Sequence, residues 1–197
     1  MALILSRELL EWISGELLGD GCLYCASPYS AMFNYSSKYP EYIHYVSDTL
    51  MKFGVERAGK IYEQYHESMD CWTFHYKSRS YREFLPMHDK WYPECKKIIP
   101  RDLALSPMVC RQWYIGDGSI THRLGKKPSI KLATCAFPVY DVKWLVEQLG
   151  EIGILATHQP AWNMIWIRAC SVKDFLSYVG ECPVSCYAYK WIYQEVD

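Results

Sequence analysis

Leu17-Leu18-Gly19-Asp20-Gly21-Cys22-Leu23 returns 97 residues later as Tyr114-Ile115-Gly116-Asp117-Gly118-Ser119-Ile120. Each copy is a hydrophobic pair, then Gly-Asp-Gly, then a strand-like pattern. The correspondence continues outward. Leu50-Met51-Lys52-Phe53-Gly54-Val55 matches Leu149-Gly150-Glu151-Ile152-Gly153-Ile154 at an offset of 99, and Ser80-Tyr81-Arg82-Glu83-Phe84-Leu85 matches Ser171-Val172-Lys173-Asp174-Phe175-Leu176 at 91. Three matches in the same order and nearly the same register mark a duplicated chain.

The two halves read alike element by element. Ser6 caps a helix on which Leu9, Ile13 and Leu17 recur at helical spacing, and Ser106-Pro107 places a cap before a proline at the first helical position. Strands are expected over 21–26 and 31–37 in the first half and over 118–123 and 129–136 in the second, each pair followed by a helix. A second strand pair comes next, 59–66 with 71–77 and 155–159 with 164–169, and then helices opened by Ser80 and Ser171. The fold class is α+β, an α-β-β-α-β-β-α unit used twice around a pseudo-twofold. Residues 1–90 form the first repeat, 91–105 a linker containing Pro93 and Pro100, and 106–197 the second repeat.

Composition narrows the classes. Half of the 197 residues are apolar, enough for a sizeable core, and no apolar run is long enough to span a membrane. The N-terminus meets charge too early for a signal peptide, so a soluble, intracellular protein without membrane partners is expected. Nine cysteines, an odd number spread over the chain, suit a reducing compartment. Cys22 and Cys25 lie three apart on an expected strand and point to opposite faces, which argues against a zinc knuckle with Cys182 and Cys186. No serine or cysteine has a placed histidine partner for nucleophilic catalysis. The balance of 21 basic against 22 acidic residues weighs against a nucleic-acid binder, although a sum does not show how charge is distributed.

Two aspartates at matching positions of a duplicated unit are what a pseudo-symmetric site requires. If the two helices pack together, Asp20 and Asp117 meet at their C-terminal ends, with Gly15, Gly19 and Gly116 permitting the approach. Two like charges held close call for divalent cations, and Mg²⁺ with few protein ligands, water and phosphate oxygens fits. Metals bridging attacking and leaving oxygens would promote phosphodiester hydrolysis. A single Gly-Asp-Gly also reads as a turn in which glycine takes positive φ and Asp caps a helix.

Ile13-Ser14-Gly15-Glu16-Leu17-Leu18-Gly19-Asp20-Gly21 resembles the nine-residue motif of the LAGLIDADG homing endonucleases, and Cys110-Arg111-Gln112-Trp113-Tyr114-Ile115-Gly116-Asp117-Gly118 resembles a second copy. Gln112 stands where the first copy has Gly15, so looser or shifted packing is expected there. The resemblance covers nearly the whole chain and is to the single-chain, monomeric branch. It implies two antiparallel, saddle-shaped sheets over the DNA major groove with helices behind, and an intron- or intein-linked, Mg²⁺-dependent enzyme. Such an enzyme cuts both strands of a long, non-palindromic DNA site. It implies Asp20 and Asp117 as catalytic metal ligands, with the Gly19 and Gly116 positions beside them and two or three ions shared between the aspartates. A supporting basic residue is implied near each site: Lys38 in the first half, with Lys131 on the equivalent strand of the second. The offset of 99 sets Ala136 and Phe137 against Ser37 and Lys38. Arg168, matching Lys77, is another candidate.

The strand faces supply the expected DNA contacts. Tyr62 and Gln64 alternate outward on one strand, and His75, Lys77 and Arg79 share a face on the next. In the second half Arg123, Lys126, Lys127 and Lys131 cluster around a hairpin, with Arg168 beyond. Two other readings stand beside the endonuclease: an intron maturase or cleavage-inactive regulator of the same fold, with host intron RNA or DNA as partner, and an interaction domain in which the aspartates only cap helices.

Overall fold

The computed structural model describes residues 3–123 and 125–193. The side chains of Ala26, Met69, Arg123 and Lys126 are not among those described, so the DNA contacts expected of Arg123 and Lys126 lie outside the described residues.

Ser6 and Ser106 open two matching helices, α1 (Arg7–Leu18) and α4 (Pro107–Asp117). Their hydroxyls accept the backbone N–H of Leu9 at 3.2 Å and of Val109 at 3.3 Å, satisfying donors that a helix start leaves open. Behind α1 follow β1 (Cys22–Ser27), β2 (Ser30–Ser37), α2 (Pro40–Lys52), β3 (Tyr62–His66), β4 (Cys71–Lys77) and α3 (Leu85–Trp91). Behind α4 follow β5 (Gly118–Arg123), β6 (Lys126–Leu132), α5 (Val139–Glu151), β7 (Ala156–Gln159), β8 (Met164–Ile167) and α6 (Val172–Val179). The strands form two four-stranded antiparallel sheets of the same order, β1-β2-β4-β3 and β5-β6-β8-β7. The α+β architecture expected from the repeats is the architecture found.

Strand alternation decides which face meets the helices. On β2, Ala31, Phe33, Tyr35 and Ser37 are buried while Ser30, Met32, Asn34 and Ser36 face the other way. α2 packs on β2 and β4, and α5 on β7 and β8. Between the sheets α1 and α4 lie against each other, with Trp12, Ile13, Leu17, Val109, Trp113 and Ile115 buried. Trp12 meets Phe33 edge-on at 6.0 Å between centroids, and Tyr114 meets Phe175 at 5.4 Å. Among the described residues no helix is long and apolar enough to cross a membrane.

One expected helix start, one expected cap and several strand bounds differ: β3 begins at Tyr62 where 59 was expected, and β8 ends at Ile167 where 169 was expected. Tyr81, next to the expected cap Ser80, pairs with Ala31 in an antiparallel bridge; the chain then makes a 3₁₀ turn at Arg82–Phe84, and α3 begins at Leu85. Ser171 does precede α6, but its hydroxyl accepts the N–H of Leu155 at 3.1 Å instead of capping. The strand expected over 129–136 runs from Lys126 and ends at Leu132. Beyond it the Thr134 hydroxyl donates to the Asn163 carbonyl at 2.6 Å and Phe137 is buried, so the chain leaves the sheet.

Candidate active site and nucleic-acid interface

The two motif helices touch backbone to backbone. A Cβ at Gly15 would stand 2.7 Å from both the Val109 carbonyl oxygen and Gln112 Cβ, and one at Gly116 would stand 3.1 Å from Gly19 Cα and 3.6 Å from Asp20 Oδ2. Asp20 and Asp117 therefore leave the joined helix ends side by side. The looser packing expected at Gln112 is not found. Its fully buried side chain takes the room Gly15 leaves and donates through Nε2 to Glu16 Oε1 at 2.7 Å. Nor does the motif need positive φ. Gly118 has φ −87°, and a Cβ there would lie 2.4 Å from the Tyr114 carbonyl oxygen, so space within its own helix end demands the glycine.

The aspartates share one electrostatic environment. Burial pushes Asp117 up to about 7, the neighbouring Asp20 charge adds to this, and Lys97 and Lys190 oppose it. Burial also raises Asp20, against the pull of Lys190 and Lys97 and of the Tyr35 hydroxyl. Both lysines are themselves held down by burial, Lys190 to about 8, with the two aspartates pulling the other way. Lys190, 5% exposed, donates to the Ile115 carbonyl at 2.5 Å, Tyr114 at 3.3 Å and Gly116 at 3.4 Å, closing the C-terminus of α4. Lys97 donates to the Gly21 carbonyl at 3.3 Å. Beside Asp20 lies a cleft of about 390 Å³ lined by Ser36, Lys38, Thr73, Gly116, Tyr189 and Lys190 among others.

On the first sheet the register sets Ser36 opposite His75, His75 opposite Tyr62, and Thr73 opposite Gln64, so these residues share the face away from the helices with Lys77. Lys77 Nζ lies 5.4 Å from the Tyr62 ring centroid. Arg79 lies just past β4, in an exposed ion pair with Glu56 at 2.9 Å. On the second sheet Lys131 Nζ sits 4.9 Å over the Trp166 ring, Lys127 is exposed, and Arg168 follows β8 exposed.

The description "LAGLIDADG DNA endonuclease family" belongs to the family model that matches residues 10–172. The chain belongs to the LAGLIDADG family. It is 28% identical over 148 residues to an uncharacterised protein, MJ1098, of Methanocaldococcus jannaschii, and 28% identical over 162 residues to the cytochrome b mRNA maturase bI2 of Debaryomyces hansenii. Each match covers 74% of this chain and 56% of the relative, so the chain spans little more than half the length of these curated relatives. The homing endonuclease I-WcaI bound to its DNA recognition sequence superposes with a TM-score of 0.82 at 19% identity, covering 99% of this chain and 89% of that one.

Within this LAGLIDADG fold the residues expected near the metal site separate. Lys38 lines the cleft with Asp20, whereas Lys131 stands over Trp166 on the open sheet face. Pairing explains why: Cys22 faces Asn34 and its repeat mate Ser119 faces Lys131, so Lys131 corresponds to Asn34. The same register matches Ser37 and Lys38 to Thr134 and Cys135, correcting the Ala136 and Phe137 expected from the offset of 99. The Gly116 carbonyl faces Lys190 at 3.4 Å. Sequence reasoning missed Lys97, Lys190 and Glu16. A signal for the lysines was available: they lie 93 residues apart, inside the spread of offsets of the repeat, each in the segment after its third helix.

Proposed function

We propose that the chain is a site-specific, divalent-metal-dependent endonuclease that hydrolyses one phosphodiester bond in each strand of duplex DNA. The observation carrying this reading is the juxtaposition of Asp20 and Asp117 at two helix ends that touch through Gly19 and Gly116. The donor set suits a hard cation: two carboxylates, each made more basic than usual by burial, and Asp117 also by the neighbouring Asp20 charge. Asp20 and Asp117 would hold Mg²⁺, two or three ions between them, and the metal would supply Lewis-acid activation of water and phosphate. Lys97 and Lys190, the cations acting on both aspartates, keep positive charge beside the pair, and Lys38 adds one to the cleft lining. The open sheet faces supply Tyr62, Gln64, His75 and Lys77 on one side and Lys127 and Lys131 on the other as DNA contacts, with Arg79 and Arg168 just past the ends of their strands. We read the chain as the monomeric, intron-encoded branch, with repeats 1–90 and 106–197 joined by a linker at 91–105 and a long, non-palindromic target.

Plasmids carrying random inserts, incubated with Mg²⁺ or with chelator, test this reading. Metal-dependent double-strand cutting is expected at few sites, lost or reduced to nicking in Asp20→Asn and Asp117→Asn. Mg²⁺ binding by the free protein should strengthen as pH rises through about 7, because Asp117 must lose its proton to ligate. Duplex binding with no cutting in any metal would move the chain to a non-cleaving role. The similarity to a maturase favours RNA binding as the second reading, which retention of intron RNA by the protein in a separate binding measurement would support.

A further inference from the structure

Four side chains from three strands form one hydrogen-bonded line across the open face of the first sheet. Ser36 Oγ on β2 lies 2.7 Å from His75 Nδ1 on β4, His75 Nε2 lies 2.9 Å from Thr73 Oγ1, and Thr73 Oγ1 lies 2.7 Å from His66 Nε2 on β3. Tyr62 stacks on His75 at 4.8 Å between centroids and 10° between planes, holding the middle ring in place.

Proton bookkeeping along this line allows two complete arrangements. A neutral imidazole has one N–H and one lone pair, and a hydroxyl has a single hydrogen. With the His75 proton on Nδ1, His75 donates to Ser36, Thr73 donates to His75 Nε2, and His66 donates from Nε2 to Thr73. Ser36 then turns its O–H outward, and His66 presents Nδ1 as an acceptor. With the His75 proton on Nε2, every bond reverses: Ser36 donates inward, Thr73 donates to His66, and His66 presents an Nδ1–H. Ser36 keeps a free lone pair in both arrangements, so the two ends can both accept but can never both donate outward. Letting both rings donate to Thr73 would leave its hydroxyl only the Gln64 carbonyl at 3.5 Å, the outer limit of a hydrogen bond.

We propose that this line couples the reading of two base positions, so that a base acceptor met by either Ser36 or His66 selects a base donor at the other end. The inference rests on the DNA-binding reading of the sheet face. Major-groove edges offer the needed contrast, since guanine presents acceptors, cytosine a donor, and adenine one of each. Burial, with His66 and Lys77 adding to it, lowers the pKa of His75 and so favours the neutral ring that the line requires. The second sheet is an internal control. Continued one step past the Leu132–Ile165 pair where β6 ends, its register would set Ala133 and Met164 against Ser36 and His75, and neither side chain can relay a proton.

The test is selection of random-sequence DNA duplexes by the full chain at pH 8 with metal chelated, followed by sequencing of the bound pool. In the native protein one pair of positions should be non-additive, with the matched double change retained roughly three- to ten-fold better than the product of the single changes, the worth of about one hydrogen bond. Thr73→Val keeps the β-branched shape and should make the two positions independent, while Thr73→Ser should restore the coupling. Independent positions in the native protein, or coupling undiminished in Thr73→Val, overturn the inference while DNA binding stands. If no duplex is enriched at all, the DNA-binding reading falls and takes the inference with it.

Discussion

Glu16 on α1 is fully buried, and Tyr42 Oη on α2 and Gln112 Nε2 on α4 both donate to its Oε1, at 2.6 and 2.7 Å. Burial pushes this acid up to about 8; the two hydrogen bonds pull it down in part, and the Asp20 charge adds to the rise. The folded pKa lies above the unfolded one, near 4.5. Between these values the unfolded chain loses a proton that the native state keeps, so stability falls as pH rises from about 4.5 to about 8 and then levels. Glu16→Gln keeps the acceptor and removes the titration. Its unfolding free energy in urea should decline less over that window, gaining roughly 1.4 kcal/mol on the native chain for each pH unit the buried acid is held protonated. Parallel pH profiles for the two proteins would show that Glu16 is ionised in the folded state. A lone glutamate on an apolar helix face gives no sign of such partners in sequence, because Tyr42 and Gln112 reach it from two other helices.

The α1–α4 contact shows what the helices themselves demand. Gly15 meets backbone on the facing helix at 2.7 Å, and backbone cannot swing aside as a long side chain can. Gly15→Ala should therefore force the helices apart, lowering stability by about 1–3 kcal/mol and shifting the aspartates. Thermal unfolding checks the first part and Mg²⁺ affinity the second; an unchanged melting temperature would mean that the helices are free to slide. Gly15, Gly19 and Gly116 were legible as contact residues from small size alone. The fit of Gln112 against Gly15 was not, since one helix accommodates the other only when both faces are known. Strand identity was largely readable because alternation is local, and β4 and β5 follow the expected bounds. The bounds of β6 were not, because Thr134 and Phe137 are drawn off the sheet by Asn163 and the core.

At the scale of the molecule, the segment joining the halves is fastened to the second. Asp141 on α5, 1% exposed, accepts the Ile99 N–H at 3.0 Å and Arg101 Nη2 at 2.8 Å, while the Arg101 guanidinium lies 5.0 Å from the Trp144 ring centroid. Lys97 is two residues from this anchor, so the linker delivers a cation to the aspartate pair. Asp141→Ala leaves the Ile99 N–H unpaired and frees Arg101. A loss of about 2 kcal/mol is expected in urea unfolding, less than for a wholly buried pair because Arg101 is half exposed. A change within 0.5 kcal/mol, as for an ordinary surface site, would show that the linker is held elsewhere. The sequence by itself determined the duplication, the order of elements and the two aspartates, because local periodicity and a repeated motif are properties of neighbours along the chain. Only the tertiary structure decided which lysines accompany the aspartates, that Glu16 is buried with partners, and that Ser36, His66, Thr73 and His75 form one line. Those relations join residues distant in sequence through strand register and helix contact, and small differences in loop length erase them from any fixed offset.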